Sequence, residues 1–178
     1  LAYGGVLATL LGLGLTGAVV RHYYDYTADR TRLNRYITSV ILFQIVGPGL
    51  AVVALDVWGP ALWARFTANT IPFYPYVRVM LWATYVDLLS QIPIALYQAQ
   101  QRAKQFVYVQ YSRFLLGVAT SVLFVIALQL GALGVLLSQL VAGTLVSATV
   151  IYLASRTWFT RHVSWRYVRE ALGYGLPL

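Results

Sequence analysis

Asp87 lies about ten residues into the apolar run from Val77 to Tyr97. A carboxylate at that depth in hydrocarbon costs about 2.5–3.5 kcal/mol on insertion scales, so it is expected to face a bundle interior or a watery cavity. Ser90 and Gln91 follow at i+3 and i+4 and share its helix face. Carrying a proton, or gating a path, is the chemistry such a group suits; a structural, ion-paired or protonated Asp is the alternative. Arg78 is on the same helix but nine residues away, about 13 Å of rise and half a turn of rotation. A cation paired with Asp87 must therefore come from another helix. Arg78 either snorkels to a membrane surface or reaches a lumen. Arg113, a turn and a half into the next apolar run, either snorkels or lines a basic vestibule. Gln44, near the middle of the run from Tyr36 to Val57, suits a hydrogen bond between helices.

Other chemistries lack their residues. No cysteine is present, so neither a disulfide framework nor zinc-ligand spacing exists. The chain has no Gly-rich phosphate loop ending in Lys-Ser or Lys-Thr, no His-Glu-x-x-His and no Gly-x-Ser-x-Gly. His22 and His162 sit at helix ends. Asp25 and Asp29, in a loop among arginines, have no second acidic cluster to complete a metal-nucleotide site. No catalytic residue, metal site or cofactor is expected.

The elements that must position these groups are five apolar stretches, roughly 1–20, 36–57, 77–97, 108–130 and 133–154. Each is near the ~20 residues a helix needs to cross ~30 Å of hydrocarbon, and helix is the form lipid permits. Of the thirteen basic residues, all but Arg65 and Arg78 fall at alternate ends of these stretches: Arg21 to Arg35, Arg102 to Arg113, and Arg156 to Arg169. Basic flanks stay in the cytoplasm, which predicts Leu1 outside and Leu178 inside. Hydrophobic residues make up 60% and charged residues 10%, against about 25% charged in soluble domains. The net charge of +8 follows from this inside bias, and nucleic acid is not expected as a partner.

Finer features agree. Gly4, Ala8, Gly12 and Thr16 form a small-residue stripe suited to close helix approach. Pro48 between Gly47 and Gly49, and Pro93, interrupt the second and third spans. Trp58, Trp63, Phe73, Tyr74 and Tyr76 make an outer aromatic belt; Tyr23, Tyr26, Tyr108, Tyr111, Trp158 and Trp165 make an inner one. Gly131 to Gly134 leave so short a turn that the fourth and fifth spans must be antiparallel neighbours. Residues 164–173 read as a short interfacial helix, with Trp165, Val168 and Leu172 on one face, and 174–178 as the start of a further span. Met80, the only methionine, is mid-helix. An internal piece of a larger transporter is expected, a complete five-helix protein being the alternative.

Four motifs carry a family resemblance. The run from Gly12 through Arg21 to Asp25 (Gly-Leu-Gly-Leu-Thr-Gly-Ala-Val-Val-Arg-His-Tyr-Tyr-Asp) resembles the second helix of bacterial polysaccharide flippases. Leu96 to Arg102 resembles the family's fourth helix entering its basic loop. Gly131-Ala-Leu-Gly-Val resembles its tight outer turn, and Arg169 to Leu178 is similar to the lead-in to its seventh helix. These flippases belong to the multidrug, oligosaccharidyl-lipid and polysaccharide exporter superfamily. The resemblance covers nearly the whole chain, as helices two to six of a protein of twelve or more. It implies an all-α polytopic membrane lobe and alternating access in the cytoplasmic (inner) membrane. The implied substrate is a polyprenyl-diphosphate-linked oligosaccharide, with a proton or sodium as possible coupling ion. On that basis Arg21, Arg78, Arg113 and Gln91 are candidate substrate contacts and Asp87 the coupling or gating site. The rival readings are a cation-coupled multidrug exporter of the same fold and a membrane-embedded acyl- or glycosyltransferase.

Overall fold

A computed structural model describes residues 5, 8, 9, 11–27, 29–67, 73–160 and 163–175, the side chains of 62 and 64–67 excepted. Every element among them is helical: α1 (Leu15–Tyr26), α2 (Arg30–Thr67), α3 (Arg78–Ala99), α4 (Ala103–Val122), α5 (Gly131–Trp158) and α6 (Trp165–Gly175). A π-helical turn, Phe73–Val77, leads into α3, and another, Leu123–Ala127, ends α4. Among the described residues, four segments are long and apolar enough to cross a membrane: Arg30–Ala61, Phe73–Ala99, Ala103–Ala127 and Gly131–Trp158. The chain is an all-α, multi-pass membrane protein.

The helices overrun the apolar stretches because polar ends continue the same backbone hydrogen bonding into the headgroup zone. α2 has 38 residues and stays continuous through Pro48 and Pro60, about 57 Å at the helical rise. Asp29 starts it, its Oδ1 accepting the N–H of Thr31 (3.0 Å) and of Arg32 (3.1 Å), as an N-cap does. The expected first span, 1–20, lies partly outside the described residues. Within them it is broken before α1, where Leu13 and Gly14 take φ of 48° and 63°. Of the expected further span at 174–178, residues 176–178 lie outside the description.

α3 is the centre of the bundle, packed against α1, α2, α4 and α5. Its closest partner is α5, which buries the small residues Ser138, Ala142, Gly143, Ser147 and Ala154. Without bulky side chains between them the backbones approach closely, which is how helices gain contact in lipid; Ser147 Oγ reaches across to donate to the Val86 carbonyl at 2.7 Å. Gly12 and Thr16 of the small-residue stripe meet α3, with a Cβ on Gly12 placed 3.5 Å from Leu88. Thr16 lies 3.5 Å from Gln91, and Tyr24 donates to the Ala99 carbonyl. These pairs keep nearly the same offset in sequence, so α1 and α3 run parallel. α4 packs on α3 and α5 but buries none of its own residues.

The turn between α4 and α5 lies about three residues earlier than the sequence suggested. It occupies Leu128–Leu130, and Gly131 already begins α5. Gly134 sits so close to the preceding segment that a Cβ would lie 3.0 Å from the Phe124 backbone. The two helices are antiparallel neighbours, as the short connection requires.

α6, Trp165–Gly175, forms close to the expected 164–173. It docks on α1 and α2, burying Val168 and Ala171, while Trp165 stays exposed. Two buried hydroxyls on α2 organise its approach: Thr38 Oγ1 accepts the Thr160 N–H at 3.1 Å and Ser39 Oγ accepts the Ser164 N–H at 3.0 Å. Tyr26 donates to Glu170 at 3.0 Å; burial and that hydrogen bond raise the Tyr26 phenol above its ordinary pKa.

Candidate functional site

The deep carboxylate has its cation. Arg113 Nη2 on α4 donates to Asp87 Oδ2 on α3, a charge-assisted hydrogen bond between neighbouring helices. The site is built by omission on a third helix. A Cβ on Gly143 of α5 would stand 3.2 Å from Asp87 Oδ1, so glycine there leaves room for the carboxylate against the helix backbone. Neither partner is sealed away: the side chains of Asp87 and Arg113 are 39% and 34% exposed.

Each faces its own cavity. Asp87 and Gln91 line a space of about 300 Å³ with Ala8, Met80 and Gln139. Arg113 lines one of about 540 Å³ with Gln110, Ser138 and, again, Gln139. The ion pair therefore bridges two hollows, and Gln139 belongs to both. Ser90 shares the face of Asp87 but lies buried, its hydroxyl donating to the Asp87 backbone carbonyl at 2.8 Å.

The other candidate cations stand elsewhere. Arg78, at the start of α3, approaches Asp56 of α2, Nε to Oδ1 at 3.0 Å, and lies 5.4 Å from the Tyr74 ring centre. No N–H is aimed at that Oδ1, so the contact is an ion pair without a formed hydrogen bond. Arg21 stacks over the Tyr174 ring at 5.1 Å. Because α1 and α3 run parallel in the register given above, Arg21 is level with Leu96. It is thus eighteen residues, about 27 Å, from Arg78 along the bundle, with Asp87 midway. Arg21, Arg78 and Arg113 form no single cluster; they mark one end, the other end and the middle of the membrane.

Three polar contributors escaped the linear reading. Asp56 ends the second apolar stretch, 22 positions before Arg78, and its acidity was the available signal. Gln139 is a lone amide in the fifth stretch. Tyr85 donates to the Ile45 carbonyl at 2.7 Å, just before Pro48, and Gly49 makes its space, since a Cβ there would lie 2.8 Å from the Tyr85 hydroxyl. The carbonyl that Pro48 itself leaves without a donor is that of Gln44, four residues before it; Tyr85 serves the next one along. Gln44 is buried, and its Oε1 accepts no hydrogen bond among the described residues. Asp25 pairs with His22 at 3.2 Å and Asp29 caps α2. No group of three or more His, Cys, Asp or Glu able to hold a metal occurs among the described residues.

Comparison with known proteins fits this picture of a helical membrane protein. The family model described as polysaccharide biosynthesis protein matches residues 1–178. Curated proteins and solved structures give no match. Members of the matched family are generally transporters rather than enzymes. Matched over its whole length, the chain belongs to this polysaccharide biosynthesis family, the polysaccharide and lipid-linked oligosaccharide flippases of the multidrug, oligosaccharidyl-lipid and polysaccharide exporter superfamily.

Proposed function

We propose that the protein moves a polyprenyl-diphosphate-linked oligosaccharide from the inner to the outer leaflet of a bacterial cytoplasmic membrane by alternating access, without breaking bonds. The basic ends lie inside, so that Leu1 is outside and Leu178 cytoplasmic. The observation carrying the reading is the Asp87–Arg113 pair, half exposed between two cavities at mid-depth in a chain of this family.

A diphosphate needs its lost hydration replaced as it crosses, and guanidinium groups supply charge-assisted hydrogen bonds. Arg113 has one such group, and Asp87 occupies it. Substrate oxygens and the Asp87 carboxylate compete for the same donors, so a proton or sodium ion taken up by Asp87 releases Arg113 to the substrate. Cation and substrate binding are then linked, each altering the affinity for the other by the same factor. Arg21 and Arg78, at opposite ends, meet the diphosphate in sequence rather than together, and Gln91 lines the path beside Asp87.

The test is the cytoplasmic-leaflet content of polyprenyl-diphosphate-linked glycan in a strain lacking the full-length gene. Accumulation that a complementing copy clears is the expected result. Retention of toxic cations with no build-up of lipid-linked glycan transfers the protein to the multidrug-exporter reading.

A further inference from the structure

A larger hollow than either cavity of the ion pair lies away from Asp87. It is a groove of about 800 Å³ between α4 and α5, with Tyr97 of α3 at its side. Its wall is apolar in practice. Leu116, Leu145, Val150 and Leu153 line it, and the hydroxyls of Thr149 and Thr157 turn back onto the carbonyls of Leu145 (2.8 Å) and Leu153 (3.0 Å). At one end the character changes. Arg102, the residue before α4, and Arg156, near the end of α5, line the same hollow. Since α4 and α5 are antiparallel, both stand at the same membrane level. Both are exposed, and neither lies within 4.0 Å of a carboxylate among the described residues. Arg156 stacks on Tyr152 at 4.8 Å and Arg102 contacts Gln105 at 3.5 Å, so the two cations are held but not neutralised.

The dimensions are those of one leaflet. From Arg156 to Leu145 the groove follows α5 for eleven residues, about 16 Å, close to half of the ~30 Å hydrocarbon core. A basic mouth at headgroup level above an apolar channel ending near the midplane is complementary to a lipid with a negative headgroup. Basic pockets between spanning helices hold such lipids by charge.

We propose that this groove is a binding site for an anionic phospholipid of the leaflet on the basic side. Its phosphate lies between Arg102 and Arg156, and one acyl chain runs between α4 and α5. The occupant supplies the packing that α4, with no buried residue of its own, lacks. The site is separate from the Asp87–Arg113 pair and does not depend on the flippase reading.

Native mass spectrometry of the full-length protein, equilibrated with phosphatidylglycerol or phosphatidylcholine of matched chains, tests it. Two arginines predict about thirty-fold tighter retention of phosphatidylglycerol. The double change Arg102→Gln and Arg156→Gln should bring the two lipids to near equality. Leu153→Trp, at a position already 46% exposed, should instead block the channel and lower retention of both lipids with the arginines intact. Its reading stands even if the arginine variant does not fold. Equal retention of both lipids by the unmodified protein overturns the proposal, as does a preference that survives the arginine changes. So does a Leu153→Cys variant that cross-links to a second copy or to another segment of the protein, which assigns the groove to protein.

Discussion

The two ion pairs that α3 makes differ in who is exposed. At mid-depth Asp87 and Arg113 are open to similar extents, each toward its own cavity. At the aromatic end, Asp56 is 13% exposed while Arg78 is 52% exposed and lies against Tyr74. A pair whose members both face cavities can exchange partners at modest cost, because water or an ion can take over either charge. A pair with one desolvated acid cannot, since removing the cation strands a buried charge. The first arrangement suits a moving part; the second fastens α2 to the start of α3.

The largest expected difference is functional. Asp87→Asn should abolish transport while leaving the amount of folded protein unchanged, measured as cytoplasmic lipid-linked glycan alongside detergent-extracted monomer. Full transport by that variant removes Asp87 from the mechanism and leaves the two pairs alike.

Next comes Gly143→Val. Any Cβ there sits 3.2 Å from Asp87 Oδ1, and the added branches must displace the carboxylate or part α3 from α5. The expected cost is about 1–3 kcal/mol of stability with loss of transport; thermal unfolding and the glycan assay read the two effects separately.

Arg78→Gln should lower transport per folded molecule without abolishing it, since Arg113 still meets the diphosphate, and should lose about 1–2 kcal/mol of stability. Adding Asp56→Asn should restore most of that loss, and the double-mutant cycle gives the coupling directly. A cycle with no coupling would make the rim pair incidental.

The smallest effect is expected at the proline. Gly49→Ala forces the Tyr85 hydroxyl off the Ile45 carbonyl, costing about 1 kcal/mol. Tyr85→Phe loses the same bond, so the two changes together should cost little more than either. Additive losses would separate glycine packing from the carbonyl contact.

Much of the frame was legible in the residues. The spans near 36–57, 77–97, 108–130 and 133–154 follow from hydropathy and length; the structure lengthens three of them at both ends, while the one expected at 108–130 begins earlier, at Ala103, and ends earlier, at Ala127. Asp87 was identifiable because a charge in hydrocarbon needs a reason. The break at Leu13 and Gly14 was not legible, because an apolar run reads the same whether its backbone is continuous or turned. Nor was the docking of α6 by Ala171, a residue whose small size hides its burial in any hydrophobicity pattern.

The sequence by itself determined that this is a multi-pass helical membrane protein, that its basic residues crowd alternate ends, and that one carboxylate must be accommodated at depth. Those conclusions need only transfer free energies, which are properties of residues and depend little on neighbours. The tertiary structure alone decided that Arg113 is the cation that answers Asp87, that Asp56 takes Arg78, and that Arg21 stands about 27 Å from Arg78. In lipid an apolar helix has no wet face to mark its rotation, so which side meets which neighbour is set by shape. Here the shape is given by Gly143, Ser147, Gly12 and Gly49, the places where a missing or small side chain lets another group come close.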